Sequence, residues 1–324
     1  MTKQVPYRRT AFFLASLFLL AMFFKNSAIA ANAIAEGIRL CARTLIPSLF
    51  PLMVASELLC SCGAVDRLAG ILRRPFGCLF GLSGNTASAV LLGAAFGFPI
   101  GTRRAASLYR EGRISKEEFS RVLAFSNHPS PTFLISTVGL SLFGSSRFGV
   151  LLYLTTLLSS LLLQILWGLP KKKNETSSAS LAFHTRTPPL SPVSALAQAV
   201  SGSALSLLSI CAFVVFFSAL VECLTHLCAG ISLSSSLTAL IFGLFELTGG
   251  AAHAADAPAK VAPYLCAFSV GWAGLSVHFQ LFHLVSDLDF SKKTYLCAKL
   301  AQGALNIPIL ALMMYVGETF GGAF

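Results

Sequence analysis

The chain has 324 residues, 55% of them apolar and only 11% charged, with 24 basic and 13 acidic residues giving a formal net charge of +11 and a mean hydropathy of +0.74. A soluble domain of this size needs far more charge to cover its surface, so the composition excludes a large soluble enzyme and describes a membrane protein. In that setting the basic excess records topology rather than nucleic-acid binding, because Lys and Arg collect on the cytoplasmic side.

Taken in chain order, the first element is residues 10–24 of "MTKQVPYRRTAFFLASLFLLAMFFKNSAIAANA". A basic start, an apolar run and trailing small residues are shared by secretory signals and first spans. The rest of the chain is just as apolar, which favours an uncleaved span, with a cut after Ala30 as the alternative. Residues 27–43 fit either an interfacial helix or an extension of that span. Further apolar segments occupy residues 44–62, 85–100 (broken), 132–143, 148–169, 203–228, 233–247 (broken beyond its end), 261–285 and 295–316. Several fall short of the ~20 residues a simple crossing requires.

Basic residues sort these segments. Lys3, Arg8 and Arg9 precede the first; Arg67, Arg73 and Arg74 follow the second; Arg103, Arg104, Arg110, Arg113, Lys116 and Arg121 follow the broken third; Lys171, Lys172 and Lys173 follow the fifth. All lie on one face if the third segment enters and leaves on the same side, which predicts a re-entrant hairpin turning at "GFPIG". The stretch "GRISKEEFSRVLAFS" then reads as a short amphipathic helix, with Ser115 as N-cap and Glu118 completing a capping box.

Residues 170–192 are polar and rich in Ser, Thr and Pro, the composition of a flexible linker. Its three lysines place it in the cytoplasm, where the Asn174 sequon has no consequence. The chain thus divides into an N-terminal span with its interfacial segment (1–43), a first membrane repeat (44–169), the linker (170–192) and a second membrane repeat (193–324).

Each repeat reads as a span, a broken hairpin, an "AFS" triplet leading into a Pro- or Gly-interrupted segment, and a final span. The predicted fold is all-α and polytopic, with about eight spanning or re-entrant segments in two inverted pseudo-repeats. Paired breaks in matching positions point to a cavity, because freed backbone groups are tolerated at membrane depth only where they face protein or water. The alternative is that Gly and Pro merely permit close helix packing.

The candidate substrate-binding residues come from these breaks: Gly97, Pro99 and Gly101; Ser126 and Asn127; Glu246, Thr248 and Gly249; Ser276 and Gln280. Glu246 leads, since an ionisable group at membrane depth is costly. Ser276 and Gln280 stand four apart on one helical face, and His128 and Ser130 accompany Asn127. Glu57 and Glu222 read as buried carboxyls, either neutral or paired.

His278 and His283 are five apart, and His253 and Asp256 sit in a small-residue stretch read as a loop; neither spacing makes a metal site. The nine cysteines act as small apolar fillers, and Cys60 and Cys62 lack zinc spacing. The motifs HExxH, GxxxxGK and GxSxG do not occur, so neither a catalytic residue nor a cofactor is expected.

Residues 96–144, "FGFPIGTRRAASLYREGRISKEEFSRVLAFSNHPSPTFLISTVGLSLFG", together with "LIPSLFPLMVASELL", "FELTGG" and "GLSVHFQ", resemble the YlbJ-type sporulation integral membrane proteins, in the group carrying nucleoside-recognition, or Gate, domains. The resemblance covers most of residues 38–316. It departs at "SNHPSP", where a smaller stretch bearing Asn and Gly is expected, and so assigns His128 no role.

The resemblance implies a multi-pass protein of an endospore-forming bacterium, needed for spore formation, with a fold similar to nucleoside-transporter cores. The resulting expectation is a plasma-membrane carrier of a small polar, nucleoside-like solute. Its rivals are a non-transporting scaffold or gate in spore-envelope assembly and, last, an intramembrane enzyme. Expected partners are the bilayer and the solute; nucleic acid is not expected, and self-association stays open.

Overall fold

The computed structural model describes residues 4–168, 191–227 and 233–321, and all regular structure among them is helical. The linker at 170–192, its lysines, Asn174 and Cys228 lie outside the described residues, apart from the last two positions of the linker.

Helix α1 (Gln4–Lys25) meets α2 (Ser27–Leu40) at Asn26. Residues 27–43 neither lie apart nor extend α1. They continue through a π-helical turn, Cys41–Leu45, into α3 (Ile46–Ser61), making one helix of 35 residues, Ser27–Ser61. At 1.5 Å per residue it is ~52 Å long, more than the ~30 Å hydrocarbon core. The amphipathic α4 (Ala64–Phe80) follows, entered and left through left-handed Gly63 and Gly81.

The expected hairpin is α5 (Ala87–Phe96) and α6 (Ile100–Arg110), and the capping-box helix is α7 (Lys116–Ser126). In the box, Glu118 N donates to Ser115 Oγ (3.2 Å) and Ser115 N to Glu118 Oε2 (3.0 Å). Residues 127–130 have no regular secondary structure, a π-helix Phe133–Leu142 follows, and α8 (Ser146–Gly168) closes the half.

The second half also opens on a long helix followed by a hairpin. A 36-residue helix, α9 (Pro192–Leu227), lies along α2 and α3; a Cβ at Gly37 would stand 3.1 Å from Val215 Cα. Helices α10 (Ser235–Phe245) and α11 (Leu247–Ala255) form the second hairpin, and α12 (Ala262–Trp272) and α13 (Gly274–Leu284) are one apolar stretch interrupted at Ala273. Helix α14 (Lys292–Gly321) ends the chain's described part. His253 therefore belongs to helix α11, its ring 4.0 Å from that of Phe242, and not to a loop.

Glycines set how tightly the hairpins close. Gly93 and Gly101 are eight residues apart, ~12 Å along a continuous helix, yet a Cβ on Gly101 would stand 2.6 Å from Gly93 Cα and 2.6 Å from the Ser126 carbonyl oxygen. In the second half a Cβ on Gly250 would stand 2.3 Å from Gly243 Cα, and one on Gly243 2.1 Å from Ser269 Oγ. Ser126 and Ser269 are the third residues of the two "AFS" triplets. Each hairpin thus folds back on a glycine pair and packs against the serine of its own "AFS" triplet.

One end of the bundle gathers charge. Arg104 and Arg113 pair with Asp66 of α4, Arg110 pairs with Asp287 (2.9 Å), and Lys116 pairs with Asp289. Arg121 donates to the Phe80 carbonyl (2.7 Å) and to Gln164 Oε1 (2.9 Å) late in α8. The start of α5, the ends of α6, α8 and α13 and the start of α14 therefore lie on this basic face.

Five described stretches are long and apolar enough to cross a membrane: Ser27–Ser61, Ser146–Trp167, Pro192–Leu227, Ala262–Leu284 and Lys292–Gly317. Shorter apolar helices at Gly84–Phe96, Phe133–Leu142 and Ser235–Phe245 fill the space between them.

Candidate functional site

In each half the two breaks cross. Phe98 N donates to the His128 carbonyl (2.6 Å), and a side chain at Gly97 would place its Cβ 2.5 Å from Ser130 N. Gly97 has φ +78°, a conformation that suits glycine. In the second half, Trp272 Nε1 donates to the Leu244 carbonyl (3.0 Å), and Gly274, with φ +76°, approaches Leu247 N and Glu246 Cα to 3.0 and 3.2 Å from its would-be Cβ.

The two crossings face each other across a cavity of about 80 Å³. Phe98, Asn127 and Ser130 line it from the first half, and Glu246, Thr248 and Gln280 from the second. Apolar side chains of the long helices, including Leu45, Leu49, Ile210 and Val214, complete the wall. At roughly 15 Å³ per water, the volume holds a handful of waters.

Two larger cavities lie at other levels of the same long helices. One of about 340 Å³, at the basic face, is lined by Glu57, Arg103, Arg104 and Ser206. Another of about 900 Å³ is bounded by Glu36, Glu222 and His226 and shares Glu246 and Thr248 with the central one. Along α2 and α3 the order is Glu36, Leu49, Glu57; along α9 it is Ser206, Val214, Glu222. The central cavity, called the neck below, therefore lies between two wider spaces along these helices and shares lining residues with one of them.

Glu246 is buried and caps α11: Thr248 N donates to its Oε1 (3.0 Å) and Gly249 N to its Oε2 (2.6 Å). A carboxylate here satisfies two otherwise unpaired amides and sits at the positive end of the helix dipole. The break that the sequence marks by an acidic residue is thus held open by that residue.

Of the sequence candidates, the structure brings Asn127, Glu246, Thr248 and Gln280 together at the neck, with Gly249 lining the larger cavity. Gly97, Pro99 and Gly101 shape the crossing, while Phe98 supplies the wall. Ser126 and Ser276 are fully buried behind it. Ser276 Oγ accepts from Gln280 Nε2 (3.1 Å), so these two residues engage each other. Glu57 is paired, with Oε2 3.4 Å from Arg103 Nη2. Glu222 is exposed on the wall of the large cavity, not buried, because α9 turns that face to open space.

Sequence reading missed the most heavily buried base. Lys299 in α14 is 0% exposed, and its Nζ donates to the Asn127 carbonyl (3.0 Å) and to Gln302 Oε1 (2.6 Å). Asn127 Nδ2 donates to Tyr295 Oη (2.5 Å), which meets His278 Nδ1 at 2.9 Å. Gln302 Nε2 donates in turn to the Thr156 carbonyl (3.1 Å). The available signal was a lysine four residues inside the candidate span 295–316, masked in sequence by the preceding Lys292 and Lys293.

Discontinuous helices meeting in pairs around a small, partly polar neck, inside a shell of apolar helices, define a multi-pass integral membrane protein. The chain is 27% identical over 331 residues to the sporulation integral membrane protein YlbJ of Bacillus subtilis strain 168, an alignment covering 92% of this chain and 80% of that one. This similarity supports a YlbJ-type family assignment. No family model matches the chain, and no solved structure matches it.

Proposed function

We propose that the protein is a sporulation-associated, transporter-like carrier of a small polar solute in the bacterial plasma membrane, built from two inverted repeats. The carrying observation is the meeting of the two broken crossings at one neck between two wider cavities. Interrupted helices around a central site are how carriers tolerate free backbone groups at membrane depth. The sporulation role follows the name of the relative, and a nucleoside-like solute is the class that the resemblance implies.

Support for inversion comes from where the segments end. The first hairpin starts and ends near the basic face, while the segment joining α11 to α12, at the far end of α13's stretch, lies away from it. Helix α8 runs toward the basic face and α14 away from it; α3 approaches Arg103 with its C-terminal half and α9 with its N-terminal half. In this reading the basic face is cytoplasmic.

Purified protein in liposomes tests the carrier reading. A panel of radiolabelled nucleosides, nucleobases and small dicarboxylates is expected to yield one that accumulates, with Glu246→Gln abolishing uptake at unchanged membrane abundance. Absence of both uptake and binding across the panel would overturn it. The second reading, a non-transporting scaffold or gate in envelope assembly, draws on the small volume and largely apolar wall of the neck. Neither reading involves chemistry on the solute.

A further inference from the structure

We propose that Lys299, with the side chains bonded around it, forms a proton-binding site inside the membrane that Asn127 connects to the neck. This goes beyond the carrier reading and does not rest on it.

Lys299 stands seven residues into α14, ~10 Å along the helix, with no exposed surface. A buried ammonium is costly unless it is paired and fully hydrogen-bonded. Its two observed acceptors, the Asn127 carbonyl and Gln302 Oε1, are both neutral. A neutral amine has two N–H groups, and two are used; an ammonium has three. The geometry fits the unprotonated amine, whose lone pair is the place for a proton.

The surroundings supply no carboxylate. Helix α12, packed along α14, carries no charged residue, and α8 carries only the exposed Arg147 at its start. On α7, Lys116, Glu117 and Glu118 belong to its first turn, and Arg121 is committed to Phe80 and Gln164. The segment after α7 brings His128, α13 brings His278, and α14 itself brings Tyr295, with Cys297 exposed and Lys292 and Lys293 at its start. Glu246 lies across the neck from Asn127.

The hydrogen bonds have a direction. Asn127 Nδ2 donates to Tyr295 Oη, which leaves the Tyr295 hydroxyl hydrogen for His278 Nδ1. Both Asn127 Oδ1 and His278 Nε2 are buried without a hydrogen-bond partner among the described residues. Proton uptake forms a third N–H on Lys299, and the unpartnered Oδ1 belongs to the residue already bonded to it. Asn127 also walls the neck, so a change in its bonding on one side alters the cavity on the other.

The protein contains its own reporter. It has two tryptophans, and the Trp272 ring lies edge-on to His278 at 4.3 Å. In full-length Trp167→Phe protein in nanodiscs, Trp272 emission is expected to change reversibly through one transition as pH is scanned. Lys299→Met and Lys299→Arg, which cannot exchange that proton, are expected to lose the transition. Lys299→Gln serves where either variant fails to give monodisperse protein. A flat parent titration, or a transition that persists in a folded Lys299 variant, overturns the site. The measurement needs no solute, so its failure is distinct from failure of the carrier reading.

Discussion

The two crossings solve one problem by different means. In the first half, Gly97–Pro99 meets residues 128–130 backbone to backbone, through the bond from Phe98 N to the His128 carbonyl, and no side chain caps α6. In the second half, a carboxylate caps the helix beyond the break, and the indole of Trp272 ties the hairpin to α12. The first crossing depends on steric fit, whereas the second depends on polar side chains. A purely steric joint fails when anything is added to it, and a polar joint fails when something is removed.

That contrast gives a ranked set of expectations. The largest effect belongs to Gly97→Val: its Cβ meets Ser130 N at 2.5 Å with φ at +78° and ψ at −169°, combining overpacking of about 1–3 kcal/mol with a positive-φ backbone penalty of roughly 1–3 kcal/mol. Little monodisperse protein should survive size-exclusion chromatography in detergent. Gly63→Ala, also at positive φ but with nothing within 4 Å, should cost only the second component; equal losses would show that space is not what Gly97 provides.

Next is Asn127→Ala, which removes the partner of Tyr295 within a buried network. Leaving such groups unsatisfied costs about 1–3 kcal/mol, read as a lowered thermal midpoint. Glu246→Ala should cost about 1–2 kcal/mol through loss of the α11 cap, and Glu246→Gln less, since its amide oxygen still accepts one bond. If both substitutions cost the same, the carboxylate does not hold the second crossing.

The smallest effects lie outside the membrane-spanning segments. Hydrogen bonds from Arg110 hold Asp287 below the usual carboxylate range, and the bond to Asp289 raises Lys116. The Asp287 contribution is present above the unfolded carboxylate pKa and fades as pH falls through the lower folded value. That of Lys116 is present below the unfolded lysine pKa and fades as pH rises through the higher folded value. The thermal midpoint of Arg110→Ala should therefore differ little from the parent at neutral pH, with the difference vanishing in strong acid.

What the sequence made legible was punctuation. Gly97, Pro99, Gly101 and Glu246 interrupt apolar runs and so announce breaks, and Ser115 with Glu118 announces a helix start through a local bond. The repeated "AFS" marked a position where each hairpin closes. What stayed hidden depends on partners distant in sequence. Nothing local distinguishes Lys299 from the lysines that open α14; its burial comes from residues near position 127, some 170 positions earlier. The continuity of α2 with α3 was hidden because residues 27–43 fit either an interfacial helix or an extension of the first span, whereas the π-helical turn carries the chain through into α3. Ser276 and Gln280 share one face, as their spacing suggests, but Ser276 is buried and accepts from Gln280, which lines the neck.

The cap on α11 also has a bearing on selectivity. Two backbone amides that would welcome a negatively charged molecule at the neck are already occupied by a carboxylate tethered to the same chain. An anion arriving there would have to displace an acceptor held in place by the same chain. Under the carrier reading proposed above, an acid therefore gains no help from these amides, and uncharged or cationic members of the transport panel are expected to be preferred over the dicarboxylates.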